Sequence, residues 1–260
     1  SQPAADKERK IPSKGYAQIS ICQKEFWLYG MYRVRQVYQE LSGRYEHKVG
    51  SIGNHGGIVM KKTENPYLPH KAEIIEVIQE TTSDLDIKTY KLMLSGGLQI
   101  DFMPGQFLEL SIPGVGEAPF GFASSPLEKD YIELSIKRVG AVTEAVHNLK
   151  EGSYVWVRGP FGNTFPMEEM ESKKILIIAG GLGLAPLRPL ILYMLDKRNR
   201  ERYSDMQMLL AARSTGDFIY KREFEQWKKI KGVNIIQTID NHEDGWDGKV
   251  GFPHLLVSEM

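Results

Sequence analysis

The chain has 260 residues, 42% of them hydrophobic and 25% charged, which is enough for two buried cores of about 100 residues each. Its 33 acidic and 33 basic residues cancel, so nothing global draws it to nucleic acid or to an anionic membrane. No apolar run approaches the roughly 20 residues of a membrane span, and the first ten residues lack the apolar core of a signal peptide, so a cytoplasmic chain with no membrane partner is expected.

Residues 1–64 read as an N-terminal extension, partly disordered, because the first fifteen are polar and carry prolines. Within residues 24–41, Trp27, Met31, Val34, Tyr38 and Leu41 fall on one face of a helix that Gly30 weakens. Three readings of this segment stand side by side: a docking helix for a partner chain, a short helix lying on its own domain, or sequence upstream of a natural start at Met60. The third has a motive, since Gly56-Gly57 is encodable by a ribosome-binding sequence. Cys22 is the single cysteine, which excludes an internal disulfide and a four-thiolate cluster, and the six histidines show no metal-ligand spacing, so no metal site is expected.

From about His70 the pattern becomes β, with apolar runs at 72–78, 87–94, 107–112, 131–139 and 154–157 divided by turn signals such as Ser95-Gly96-Gly97 and Pro104-Gly105. With a sixth strand at 119–126, this predicts a six-stranded antiparallel β-barrel over residues 65–167. One helix is expected at 143–149, capped by Thr143. Beyond Asn163 the period changes to strand 174–179, helix 185–198, strand 206–212, helix 218–230 and strand 233–239. That alternation predicts an α/β, Rossmann-like nucleotide-binding domain over 168–260, incomplete at its C-terminus because 254–260 reads as an element cut short.

Between the first of those strands and its helix lie Gly180, Gly181 and Gly183, followed by Leu184, Ala185 and Pro186. Glycines permit positive φ and close approach of a ligand, and the helix start offers unpaired N–H groups and a positive dipole end to a phosphate. The pattern alone leaves open a dinucleotide site and a tight structural turn; a P-loop is disfavoured because no Gly-Lys-Ser/Thr follows.

A set of motifs in fixed order narrows the choice. They are Pro104-Gly105-Gln106-Phe107, Gly116-Glu117-Ala118-Pro119, Phe122-Ala123-Ser124-Ser125-Pro126, Ile136-Lys137-Arg138-Val139-Gly140, Val142-Thr143, Arg158 to Asn163, and Ala179 to Pro189. In this order they resemble the ferredoxin-NADP reductase superfamily. The likeness is greatest to the gamma subunit of cytoplasmic hydrogenases of the sulfhydrogenase type, with the electron-transfer subunits of anaerobic sulfite reductase and of dihydroorotate dehydrogenase near by.

The resemblance implies FAD and NAD(P)H as cofactors. The flavin would lie along Pro119, Phe120, Gly121, Phe122, Ala123 and Ser124 and beside Ile136 and Lys137, with its phosphates at Gly140, Val142 and Thr143. The pyridine nucleotide would meet Gly180, Gly181, Gly183, Leu184 and Ala185, with Arg213 and Ser214 at the adenosine ribose. Without the resemblance, the Phe-rich strand reads as core, Lys137 and Arg138 as solvated, and Arg213 as a surface arginine.

Two departures stand out. The family's usual Arg-x-Tyr-Ser is Ala118-Pro119-Phe120-Gly121 here, so the arginine that neutralises flavin pyrophosphate is absent and main-chain amides with the Thr143 hydroxyl are expected in its place. The family's Cys-Gly-Pro-Pro segment and its [2Fe-2S] cysteines are not in this sequence, as in a fragment, a truncated form or a split gene product. The expected function is an FAD-dependent subunit that exchanges hydride with NAD(P)H and passes electrons to a hydrogenase or other iron–sulfur oxidoreductase, the flavin doing the redox chemistry and no side chain acting as a catalytic acid or nucleophile. The alternatives are the sulfite reductase or dihydroorotate dehydrogenase role, or a non-catalytic docking subunit.

Overall fold

The computed structural model of the chain describes the backbone of residues 16–21 and 61–62 and the whole of residues 65–256. The helix expected at 24–41 and the readings attached to it lie outside the described residues. Two short strands, β1 (Tyr16–Ile21) and β2 (Lys61–Lys62), precede the main body.

The antiparallel half contains β3 (His70–Gln79), β4 (Ile87–Leu94), β5 (Leu98–Gln99), β6 (Phe107–Ile112), β7 (Gly116–Gly121), β8 (Ile132–Lys137), α1 (Ala141–His147) and β9 (Tyr154–Phe161). β2 pairs with β5, and the six longer strands form one sheet in the order β7-β6-β9-β3-β4-β8. Alternation builds its core: Ile74, Leu92, Leu108, Leu110, Val155 and Val157 are all fully buried on the inner face. β8 obeys the same period with a different outcome. Ile132, Leu134 and Ile136 enter this core, while Glu133 and Ser135, on the face that alternation assigns to solvent, are buried as well.

The strand expected at 119–126 stops at Gly121 because the chain then leaves β6 for β8. Ala123 N donates to the Glu133 carbonyl at 2.8 Å, and Glu133 N donates to Ser124 Oγ at 3.1 Å. The two edges of the sheet are thereby drawn together. α1 starts two residues earlier than expected, with extended Gly140 as its N-cap and Thr143 one turn inside.

The parallel half contains β10 (Lys174–Gly180), α2 (Leu184–Leu195), β11 (Met206–Ala212), α3 (Lys221–Lys228), β12 (Val233–Ile239), β13 (Lys249–Val250) and α4 (Pro253–Leu256). Its sheet has the order β1-β10-β11-β12-β13, every pair parallel. Ile175, Ile177, Met208 and Leu210 are buried, as strands covered on both faces must be. α2 packs through Leu187, Leu190, Ile191 and Met194, spaced as one helical face. It ends at Leu195 because Asp196 turns extended, and α3 begins only at Lys221 because Tyr220 is left-handed at φ +58°. At the start of the stretch expected to open a further element, Pro253–Leu256 forms a helical turn. Among the described residues no helix is long and apolar enough to cross a membrane.

Candidate functional site

Three segments from different parts of the sequence converge at one edge of the molecule. The end of β7 carries Pro119, Phe120 and Gly121, with Phe120 opposite Leu108 and Gly121 opposite Phe107. The start of α1 leans on the start of β7: a Cβ placed on Gly116 would lie 3.4 Å from Val142 Cγ2. The head of α2 meets the end of β7, where a Cβ on Gly121 would lie 3.3 Å from Pro186 Cβ. A serine at position 121 would have to displace that proline, so glycine here admits close approach of the two halves.

The structure divides the flavin candidates into two groups. Pro119 is exposed, and Phe120 and Gly121 are half-buried at the surface. Phe122 is instead a core residue, stacked on Phe102 with ring centroids 3.8 Å apart and planes 7° from parallel. Ala123 and Ser124 are buried, their polar atoms engaged with β8. Ile136 is fully buried, and its carbonyl accepts a bond from His147 Nε2 at 3.0 Å, while Lys137 is half-buried opposite Ile87.

Thr143 corrects one expectation. Its hydroxyl does not face outward: it accepts from the N–H groups of Val139 and Gly140, each at 2.9 Å, and donates to the Gly140 carbonyl at 2.9 Å. Thr143 therefore shapes the loop that presents Gly140 and the α1 amides. A Cβ at Gly140 would meet nothing within 4 Å, so the space in front of that loop is open to a ligand.

The guanidinium groups flanking this surface are both paired. Arg138 donates to both oxygens of Glu144 and lies 3.6 Å from Asp86, and its hydrogen bonds hold the Glu144 carboxyl below the usual range. Arg158 donates to both Glu117 oxygens, at 2.8 and 2.5 Å, and this lowers the Glu117 carboxyl. Neither is left over to replace the missing flavin arginine, so the exposed backbone at the start of α1 is the anion-compatible feature here.

On the nucleotide side, β10 runs into a tight turn at Gly181–Gly183 and then α2. Gly181 is at φ +52°, and a Cβ on Gly180 or Gly181 would meet nothing within 4 Å. Gly183, Leu184 and Ala185 are buried and carry the turn into the helix. Arg213 and Ser214 follow β11 at the same carboxyl ends of the strands, where open α/β sheets receive their ligands. Arg213 is also paired, Nε to Asp217 Oδ2 at 3.3 Å and Nη2 to Asp84 Oδ1 at 3.2 Å. The hollow bounded by Lys174, Met206 and Val233 lies at the opposite ends of the strands and contains none of these residues.

Sequence reasoning missed the residues that hold the two halves together. Arg188 of α2, Glu133 and Ser135 of β8, Tyr220, Glu223 of α3 and Glu80 form a buried network. The one available signal was the polar pair Glu133 and Ser135 alternating with Ile132, Leu134 and Ile136, a pair that alternation assigns to solvent.

Comparisons with known proteins agree with this geometry. Residues 74–165 match the family described as Oxidoreductase FAD-binding domain, and residues 177–260 match Oxidoreductase NAD-binding domain. The sulfhydrogenase 1 subunit gamma of Pyrococcus furiosus is 39% identical over 77% of this chain and 69% of its own length. A probable dihydroorotate dehydrogenase B (NAD(+)), electron transfer subunit, of Thermococcus kodakarensis is 30% identical over 67% of this chain and 64% of its own length. Among solved structures, the cytochrome P450 reductase GcoB of Amycolatopsis superposes with a TM-score of 0.62 at 25% identity, covering 74% of this chain and 57% of that one. This chain thus spans less than two thirds of the last two. The two matched domains, in this order and with this likeness, place the chain in the ferredoxin-NADP reductase superfamily, as an FAD- and NAD(P)H-dependent oxidoreductase.

Proposed function

We propose that this chain is the flavin-carrying electron-transfer subunit of a larger cytoplasmic complex, exchanging hydride with NAD(P)H and passing electrons to an iron–sulfur oxidoreductase of the hydrogenase type. The observation that carries this reading is the convergence of two ligand-ready backbones: the start of α1 beside β7, and the glycine turn of α2 against Gly121. Likeness to a sulfhydrogenase gamma subunit supports the choice of partner over the dihydroorotate one. The two functional units divide at residues 65–167 and 168–260.

FAD, when bound, supplies the conversion of a two-electron hydride into single electrons. This chain's residues orient and shield. Phe120 offers an apolar ring face beside Pro119 and Gly121, and Gly121 lets the head of α2 close against that strand. Phe122, Ala123 and Ser124 fix the strand from behind through the Phe102 stack and the bonds to β8. Val142 and the first turn of α1, opened by Gly140 and braced by Thr143, present main-chain donors to the flavin phosphates, flanked by Ile136 and Lys137. Gly180, Gly181 and Gly183, with Leu184 and Ala185, receive the pyridine nucleotide, and Arg213 and Ser214 face its adenosine ribose. These 260 residues hold one cysteine and do not themselves supply four thiolates for a [2Fe-2S] acceptor.

The test is an anaerobic titration of the full chain with FAD, followed by NADH or NADPH. The expected result is stoichiometric flavin uptake and loss of the oxidised-flavin absorbance on adding nucleotide. Protein that stays colourless with excess FAD would support the docking subunit instead.

A further inference from the structure

Arg188 lies two residues beyond Pro186 in α2 and is buried between the two halves of the molecule. Its side chain is 9% exposed, against 7% for Glu133 and 13% for Glu223. Nη1 donates to the Ala123 carbonyl at 2.6 Å and to Glu133 Oε2 at 2.5 Å, and Nε and Nη2 form a fork onto the two oxygens of Glu223 at 2.9 and 2.8 Å. Its guanidinium carbon sits 4.5 Å from the centroid of the Tyr220 ring. Burial opposes its charge, but the bonds to Glu223 and the field of Glu133 hold its pKa above the ordinary arginine value.

A second set of contacts runs parallel to the first. The Tyr220 hydroxyl and Ser135 Oγ are hydrogen-bonded, and Tyr220 N donates to Glu80 Oε2 at 2.9 Å. Glu80 also accepts from Arg222 at 2.9 Å and from Thr89 Oγ1 at 2.7 Å. Every link joins a group on the antiparallel side to one on the parallel side or braces such a group.

The location decides what this network can do. Ala123 lies two residues past Gly121, just beyond the end of the strand proposed to carry the flavin, and Arg188 follows the glycine turn proposed to carry the nucleotide. One helical turn therefore touches that segment twice, through Pro186 at the last strand residue, Gly121, and through Arg188 at Ala123 just after it. Apolar residues could hold two domains together equally well, but without direction. A guanidinium fork shared among two carboxylates and a carbonyl fixes both angle and register.

We propose that Arg188 is a positioning residue: its bonds to Ala123, Glu133 and Glu223 set the register between the glycine turn and the flavin strand, and so the approach of nicotinamide to flavin. The proposal rests on the cofactor surfaces assigned in the preceding subsection. Hydride transfer leaves the nicotinamide oxidised and the flavin reduced by two electrons, with no side chain consumed. Its rate depends on the alignment of the two rings, and misplacement by about 1 Å costs on the order of 100-fold.

The test uses the full chain loaded with FAD. Arg188→Lys keeps the positive charge, but one ammonium cannot fork onto Glu223 while also reaching Ala123 and Glu133. The expected result is FAD affinity and half-saturating nucleotide concentration within about threefold of the parent, with the rate of flavin reduction at saturating nucleotide lower by roughly 10- to 100-fold. The long-wavelength absorbance that a stacked nicotinamide–flavin pair gives on adding NAD(P)+ should weaken in parallel, a readout that needs no turnover. Glu223→Gln, which removes one charge and keeps the shape, is expected to show the same split more weakly and serves if the lysine variant does not fold. A folded, flavin-loaded Arg188→Lys protein reduced within threefold of the parent rate would overturn the proposal, as would loss of FAD affinity by the same factor as the rate. A parent protein that binds FAD but is reduced by neither nucleotide would overturn the underlying function itself, and it is seen before any variant is made.

Discussion

The interface between the two halves and the surface proposed to face the cofactors use polar groups in opposite ways. At the interface, Arg188, Glu133, Glu223, Tyr220 and Glu80 are withdrawn from solvent and engage one another directly. At the cofactor-facing edge, Arg138 and Arg158 are neutralised by Glu144 and Glu117, and the open positions are Gly140, Gly180 and Gly181. Fixed charge is placed where the two halves meet, and bare backbone where the proposed cofactor phosphates would bind. A buried ion pair is directional and costly to break, whereas helix-start amides need no counterion once the ligand has gone. Ala118 stands in the second region where the resemblance leads one to expect a flavin arginine, and the buried arginine, Arg188, lies in the first.

The comparison breaks most visibly if the interface charge is removed. Arg188→Met strands two buried carboxylates, and breaking a buried pair from one side costs about 3–5 kcal/mol. For a chain of this size that corresponds to a fall in Tm of roughly 10 °C, measurable by circular dichroism. Adding Glu223→Gln to Arg188→Met should return part of the loss, because one orphaned charge is then gone. Strictly additive effects would show that the two residues are not coupled.

A substitution at the open backbone should do the reverse, sparing stability and weakening binding. Gly180→Ala adds a methyl group into empty space on ordinary backbone, so its Tm should stay within about 2 °C while NAD(P)H affinity falls about tenfold by calorimetry. Gly181→Ala should lose similar affinity and also about 1–2 kcal/mol of stability, because φ +52° is left-handed. On the flavin side, Thr143→Val removes the acceptor for two loop N–H groups, and FAD affinity should fall about three- to tenfold, with Thr143→Ser restoring it.

How much of this was legible in the sequence follows from the range of the interactions. The β10–turn–α2 unit is local: β-branched residues, three glycines and a helix follow one another, so element type and order could be read directly. Thr143 was recognised but given the wrong task, since Gly140, not Thr143, caps the helix, and the hydroxyl turns back to Val139 and Gly140. Phe122 fits the flavin strand by motif but belongs to the core by its stack on Phe102, twenty positions away, which no local pattern encodes. The interface was invisible for the same reason. Arg188 meets partners 35, 55 and 65 residues distant, and alternation in β8 marks Glu133 and Ser135 as solvent-facing until the second half of the molecule covers them.

The weakest pair offers the finest discrimination. Arg213, after β11, is the group whose charge would favour the 2′-phosphate that distinguishes NADPH from NADH, yet Asp217 and Asp84 already share it. Asp217 is buried and belongs to the fold, while the Asp84 side chain is 88% exposed and reaches across from the antiparallel half. Exposed pairs are worth about 0.2–1 kcal/mol, so Asp84→Asn should shift the ratio of NADPH to NADH affinity upward by about two- to fivefold. The shift should shrink in high salt, since the contact is open to screening. Dissociation constants of the two nucleotides measured for both proteins at low and high salt decide it: an unchanged ratio would mean that Arg213 does not meet the ribose.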